Sequence, residues 1–125
     1  MPHKPYILLF TLALSGCSTV QPRIPESTYT DGAKVYTLHG HSMEPLICDG
    51  YRIYVDTGYP YDALRVGDLV VYRNDKSEQG TTCHMLYDQR CTGGAWRTYG
   101  INNSTIDPWI MTRADYIGKV IKIEK

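Results

Sequence analysis

Asp49-Gly50-Tyr51-Arg52-Ile53-Tyr54-Val55 reads as a turn that opens into a strand. Asp-Gly is a tight-turn pair, because glycine accepts backbone angles that other residues resist. Behind it, Ile53 and Val55 alternate with Arg52 and Tyr54, the period of a strand with one face buried. The same pattern recurs on either side. Lys34–Leu38 alternates, Asp68–Arg73 follows Val66-Gly67, and further strands are expected at Thr82–Tyr87, Ala95–Tyr99 and Tyr116–Ile123. No window of twelve residues carries an apolar stripe at helical spacing, which leaves room only for helical turns at Met43–Leu46 and Thr112–Tyr116. The expectation is one all-β domain of about six to eight short strands over residues 34–125. Eleven tyrosines against one phenylalanine suit small sheets with half-buried rings and wet hydroxyls.

The N-terminus is of a different kind. Lys4 precedes an apolar run from Tyr6 to Leu14, interrupted only by Thr11, and Leu14-Ser15-Gly16-Cys17 closes it. A nine-residue apolar core is too short to span a bilayer, so residues 1–16 read as a cleaved export signal. The Leu-Ser-Gly-Cys ending resembles a bacterial lipobox, which implies that Cys17 is acylated and that several acyl chains anchor the protein. Ser18 after the cysteine resembles lipoproteins sent to an outer membrane, so a periplasm-facing, lipid-anchored place in the cell envelope is expected. Residues 17–33, with Pro22, Pro25 and Gly32, lack hydrophobic periodicity and read as the lipidated cysteine and a flexible tether. A formal net charge of +0 without a basic run argues against nucleic acid as a partner.

Three cysteines remain besides Cys17. In an oxidising compartment Cys83 and Cys91 are candidates for a bridge around His84 and Asp88, with Cys48 left as a buried free thiol. The metal-capable side chains His39, His41, Cys48, Cys83 and His84 match no common zinc spacing, and His39 and His41 read as strand residues. Neither a metal nor another cofactor is expected.

Chemistry concentrates at Gly40-His41-Ser42-Met43-Glu44-Pro45. A serine hydroxyl is a poor nucleophile until a base takes its proton, and His84 is one of three histidines in the domain. Pro45 restricts Glu44 and favours a sharp bend after the strand. At such a junction Ser42 is exposed, Gly40 lets the backbone pass close to a substrate, and local amides can face a reacting carbonyl oxygen.

This segment, followed by Asp49-Gly50-Tyr51 and a strand, resembles the nucleophile box of the signal peptidase I and LexA-type serine peptidases. Val66-Gly67-Asp68-Leu69-Val70-Val71-Tyr72 is similar to their next box. At the position of the general base many of these enzymes carry lysine, but no lysine lies between Lys76 and Lys119; Cys83-His84-Met85-Leu86 stands there, as in the archaeal and endoplasmic-reticulum type. Thr98-Tyr99-Gly100-Ile101-Asn102-Asn103 resembles the last box, and Asp107 falls on its second aspartate; Tyr116–Val120 is similar to the closing strand. Ile101 replaces the first aspartate of that box, so the orienting carboxylate falls to Asp107.

The resemblance implies a fold of small, strongly bent antiparallel sheets and a serine endopeptidase that takes an extended polypeptide. In it Ser42 is the nucleophile, His84 the base and Asp107 the orienting acid. Ser42, Gly40 and Met43 shape the oxyanion and substrate site, with Met43 packed beneath the nucleophile. The rival expectation is a catalytically inactive lipoprotein module that keeps the peptide groove without turnover.

Overall fold

The computed structural model describes residues 32–125. The expected signal segment, the Cys17 lipidation site and the chain up to residue 31 lie outside the described residues. No helix among those described is long and apolar enough to cross a membrane.

Seven strands form: β1 (Lys34–Thr37), β2 (Arg52–Asp56), β3 (Leu69–Arg73), β4 (Thr81–Asp88), β5 (Trp96–Tyr99), β6 (Ile110–Met111) and β7 (Tyr116–Glu124). All neighbours run antiparallel in the order β1-β2-β7-β3-β4-β5-β6. The all-β expectation holds, but the strands make one continuous sheet curled into a half-barrel rather than several small ones. The curl has local causes. Register shifts fall between Tyr54 and Val55 on β2, Val71 and Tyr72 on β3, and Leu86 and Asp88 on β4. Bulges of this kind bend a strand and increase its twist.

Alternation explains which strands lie where. On β2, Ile53 and Val55 are buried while Arg52 is exposed. Strand β3 is apolar on both faces and central: Leu69 and Val71 join one core cluster with Met43, Ile47 and Val120, whereas Val70 and Tyr72 join another with Leu86, Trp96 and Met111. Six strands fall within a residue or two of their expected positions. The seventh, β6, has two residues, too few to carry a period. His39 and His41, read as strand residues, lie instead in the loop beyond the end of β1.

The β1–β2 connection is a hairpin with an excursion. Leu38 N–H donates to Tyr51 C=O and Gly50 N–H to Leu38 C=O, both at 2.8 Å, and this closes the base of the loop. Within it a single helical turn forms, with Ile47 N–H on Met43 C=O at 2.9 Å. Met43, Leu46, Ile47 and Cys48 are all buried, so hydrophobic packing holds the loop down. A second turn forms where expected, with Tyr116 N–H on Thr112 C=O at 3.2 Å; 3-10 turns at Tyr61–Ala63 and Thr92–Gly94 carried no sequence signal.

The cysteines need correction. Cys83 and Cys91 are both free, and the disulfide-bonded cysteine is Cys48. Cys83 sits within β4, paired with Val71 and turned into the core, and Cys91 lies beyond the end of that strand. Extended chain advances about 3.3 Å per residue, so residues 83 to 88 alone span roughly 16 Å, far beyond disulfide reach.

Candidate active site

Three elements meet at Ser42. The β1–β2 excursion supplies the serine, β4 supplies His84, and the loop between β5 and β6 supplies Asp107. Ser42 Oγ lies 3.0 Å from His84 Nε2, although 42 residues separate the two in sequence. On the far side of the ring, His84 Nδ1 lies 2.5 Å from Asp107 Oδ2. The three residues predicted from sequence thus stand in one hydrogen-bonded line.

Each is placed by backbone. Ser42 is half-buried, and its neighbour Met43, at 0% exposure, roots the turn in the core. The Met43 side chain is therefore closed to a substrate. Gly40 adopts φ 98°, a left-handed angle that favours glycine, and its N–H donates to Asp49 Oδ1 at 2.8 Å. That amide is already engaged, so the contribution of Gly40 is the bend of the chain. His84 pairs with Val70, and Leu86 pairs with Thr98. By strand alternation Val70, Tyr72, His84, Leu86 and Thr98 share one face of the sheet. Asp107 N–H donates to Thr98 C=O at 2.9 Å, fastening the acid's loop to β5.

The Gly100-Ile101-Asn102-Asn103 segment acts on the backbone of Ser42. Asn102 N–H donates to Ser42 C=O at 2.8 Å, and Asn102 Nδ2 donates to His41 C=O at 3.0 Å. Gly100 lies so close that a β-carbon there would stand 2.8 Å from Ser42 O and 2.9 Å from Ser42 Cβ. Sequence reasoning noticed this motif without its role. The signal was the glycine followed by two asparagines, a combination suited to holding another stretch of backbone.

Buried polarity is fully paired around the acid. Asp107 Oδ2 also accepts the hydroxyl proton of Thr98 at 2.7 Å, and Thr98 is completely buried. Two donors on one oxygen compensate a carboxylate that has left water. His41, by contrast, faces solvent. Its Nδ1 lies 2.5 Å from Glu44 Oε2, and this hydrogen bond, helped by the carboxylate charge, raises its pKa above the ordinary 6.5. Among the described residues no three His, Cys, Asp or Glu side chains converge on a metal site.

A cleft of about 580 Å³ opens beside the line, with Ser42 and His84 in its wall together with Tyr36, Leu38, Thr82 and Trp109. Its sides come from β1 and β4. Burial pushes the neighbouring Cys83 thiol up to about 12, which keeps it protonated and unreactive.

A curled antiparallel sheet that presents a serine, a histidine and an aspartate in this order is an arrangement of serine-peptidase type. The Peptidase S24-like family model matches residues 12–121, and the chain belongs to that family, within the LexA and signal peptidase I-like superfamily. No curated protein and no solved structure matches the chain.

Proposed function

We propose that this protein is a serine endopeptidase that cuts extended polypeptides at Ser42 by a Ser–His–Asp mechanism. The observation that carries the proposal is the unbroken line Ser42 Oγ–His84 Nε2 at 3.0 Å and His84 Nδ1–Asp107 Oδ2 at 2.5 Å. His84 takes the Ser42 proton as the oxygen attacks a peptide carbonyl, giving a tetrahedral oxyanion. The Ser42 N–H is the local donor for that oxyanion, a contribution worth about 3–4 kcal/mol per donor in serine peptidases. His84 then protonates the leaving amine, and water attacks the acyl-enzyme with His84 again as base. Asp107 holds the ring tautomer and stabilises the imidazolium as it forms.

The substrate is an extended segment of an exported or membrane-associated polypeptide, bound along a strand in the 580 Å³ cleft. The Leu14-Ser15-Gly16-Cys17 ending supports a lipid anchor that places the domain at the cell envelope. The mass of the N-terminal fragment from membranes tests the anchor, and an unlipidated Cys17 would remove it.

The activity is tested by incubating the full-length protein with a peptide library and reading cut sites by mass spectrometry. Cleavage by wild type that vanishes in Ser42→Ala and His84→Ala is expected. Wild-type protein that binds library peptides without cutting them would replace the peptidase by a binding module.

A further inference from the structure

Three more side chains continue the line beyond Asp107. Trp109 Nε1 lies 2.8 Å from Tyr72 Oη, Tyr72 Oη lies 2.8 Å from Thr98 Oγ1, and Thr98 Oγ1 lies 2.7 Å from Asp107 Oδ2. They come from β3, β5 and the loop that carries the acid. Tyr72 and Thr98 are almost wholly buried, while Trp109 is half-buried in the wall of the cleft.

We propose that Trp109, Tyr72 and Thr98 form a one-way hydrogen-bond relay that positions protons on the Asp107–His84 pair. Its direction follows from the chemistry of its ends. An indole nitrogen can only donate, so the Tyr72 oxygen accepts there and turns its own proton to Thr98. Thr98, having accepted, gives its proton to Asp107 Oδ2, which as a carboxylate can only accept. Reversing any link would leave a buried donor or acceptor unmade, at a cost comparable to a lost hydrogen bond. Burial raises the Tyr72 pKa further above its ordinary 10.0, so the phenol stays protonated and remains a donor to Thr98.

The consequence appears at His84. Asp107 Oδ2 faces two groups, the Thr98 hydroxyl that donates to it and His84 Nδ1 at 2.5 Å. A proton on that oxygen would oppose both. The relay therefore reserves Oδ2 as an acceptor, keeps hydrogen on Nδ1, and turns the Nε2 lone pair to Ser42. Thr98, Tyr72 and Trp109 touch no substrate in this scheme; they are positioning residues acting through Asp107. Only the kinetic consequence rests on the peptidase reading.

The test uses full-length protein with ¹⁵N-labelled histidine. The His84 ring signals of wild type are expected to show the Nδ1–H tautomer, those of Thr98→Val and Tyr72→Phe a mixture of tautomers, and those of Thr98→Ser the wild-type pattern again. In peptide cleavage, Thr98→Val should lower kcat about tenfold, the worth of one hydrogen bond to a charged group, with KM unchanged. The Thr98→Val/Tyr72→Phe double variant should lose no more than Thr98→Val alone, because the two act in series. Unchanged ring signals in folded Thr98→Val, failure of Thr98→Ser to restore them, or losses that simply add would overturn the relay. Should Thr98→Val fail to fold, the ring signals of Tyr72→Phe decide by the same criterion. If wild type cleaves nothing, the peptidase reading fails while the ring tautomer still decides the relay.

Discussion

Gly100 has no room for a side chain because Ser42 occupies the space. In Gly100→Ala the new methyl would meet Ser42 O at 2.8 Å, Ser42 Cβ at 2.9 Å and Asn103 Nδ2 at 2.7 Å, and two of those atoms belong to Ser42. Misplacing a reacting group by about 1 Å can cost 100-fold, so kcat/KM should fall by roughly that factor while the circular dichroism spectrum is kept. Cys83 supports a second prediction, about stability. Burial pushes its thiol from 9.0 up to about 12, so the fold keeps a proton that the unfolded chain has already lost. Below pH 9 both states are protonated and the contribution is complete. From 9.0 towards 12 unfolding releases the proton, and stability falls by up to about 1.4 kcal/mol per pH unit. Cys83→Ala should flatten that alkaline slope in denaturant titrations, since the similarly raised Tyr72 and Tyr116 remain in both proteins. The same burial predicts that a thiol reagent modifies half-buried Cys91 in native protein and leaves Cys83 untouched. Equal labelling of both would contradict this placement.

Strand β7 shows how the sheet closes around the site. It is the longest strand and lies between β2 and β3, with a register shift on each side. Gly118 marks the tightest approach, where a β-carbon would stand 2.6 Å from both Asp56 O and Val55 Cγ1. Gly118→Ala should therefore lower the urea midpoint by an amount equivalent to about 1–3 kcal/mol, the usual cost of overpacking. Periods and turns exposed most of these elements in the sequence, since Asp49-Gly50 and Val66-Gly67 each precede a strand. Contacts that lack a period stayed hidden. Strand β6 is too short to show one, and the reach of Asn102 to the backbone of Ser42 depends on two loops meeting. The Cys83–Cys91 expectation failed for a related reason. Eight residues look like a short loop in sequence, but most of them lie along one extended strand.

Across the molecule, the half-barrel gathers groups that are far apart along the chain. Ser42, His84 and Asp107 were legible because sequence boxes of recognisable composition follow one another in a fixed order. Their support was not. Tyr72 closes an apolar run and reads as core, and Thr98 reads as an ordinary strand residue; only the curl of the sheet aligns both behind Asp107. In the proposed mechanism this line makes Ser42 a nucleophile. The most direct measurement treats the full-length protein with a fluorophosphonate and maps the modified residue by mass spectrometry. Modification of Ser42 alone is predicted, with labelling about 10⁶-fold slower in His84→Ala, as for the loss of a base from a serine triad. Folded wild-type protein that stays unlabelled, or that labels equally fast without His84, would contradict the account.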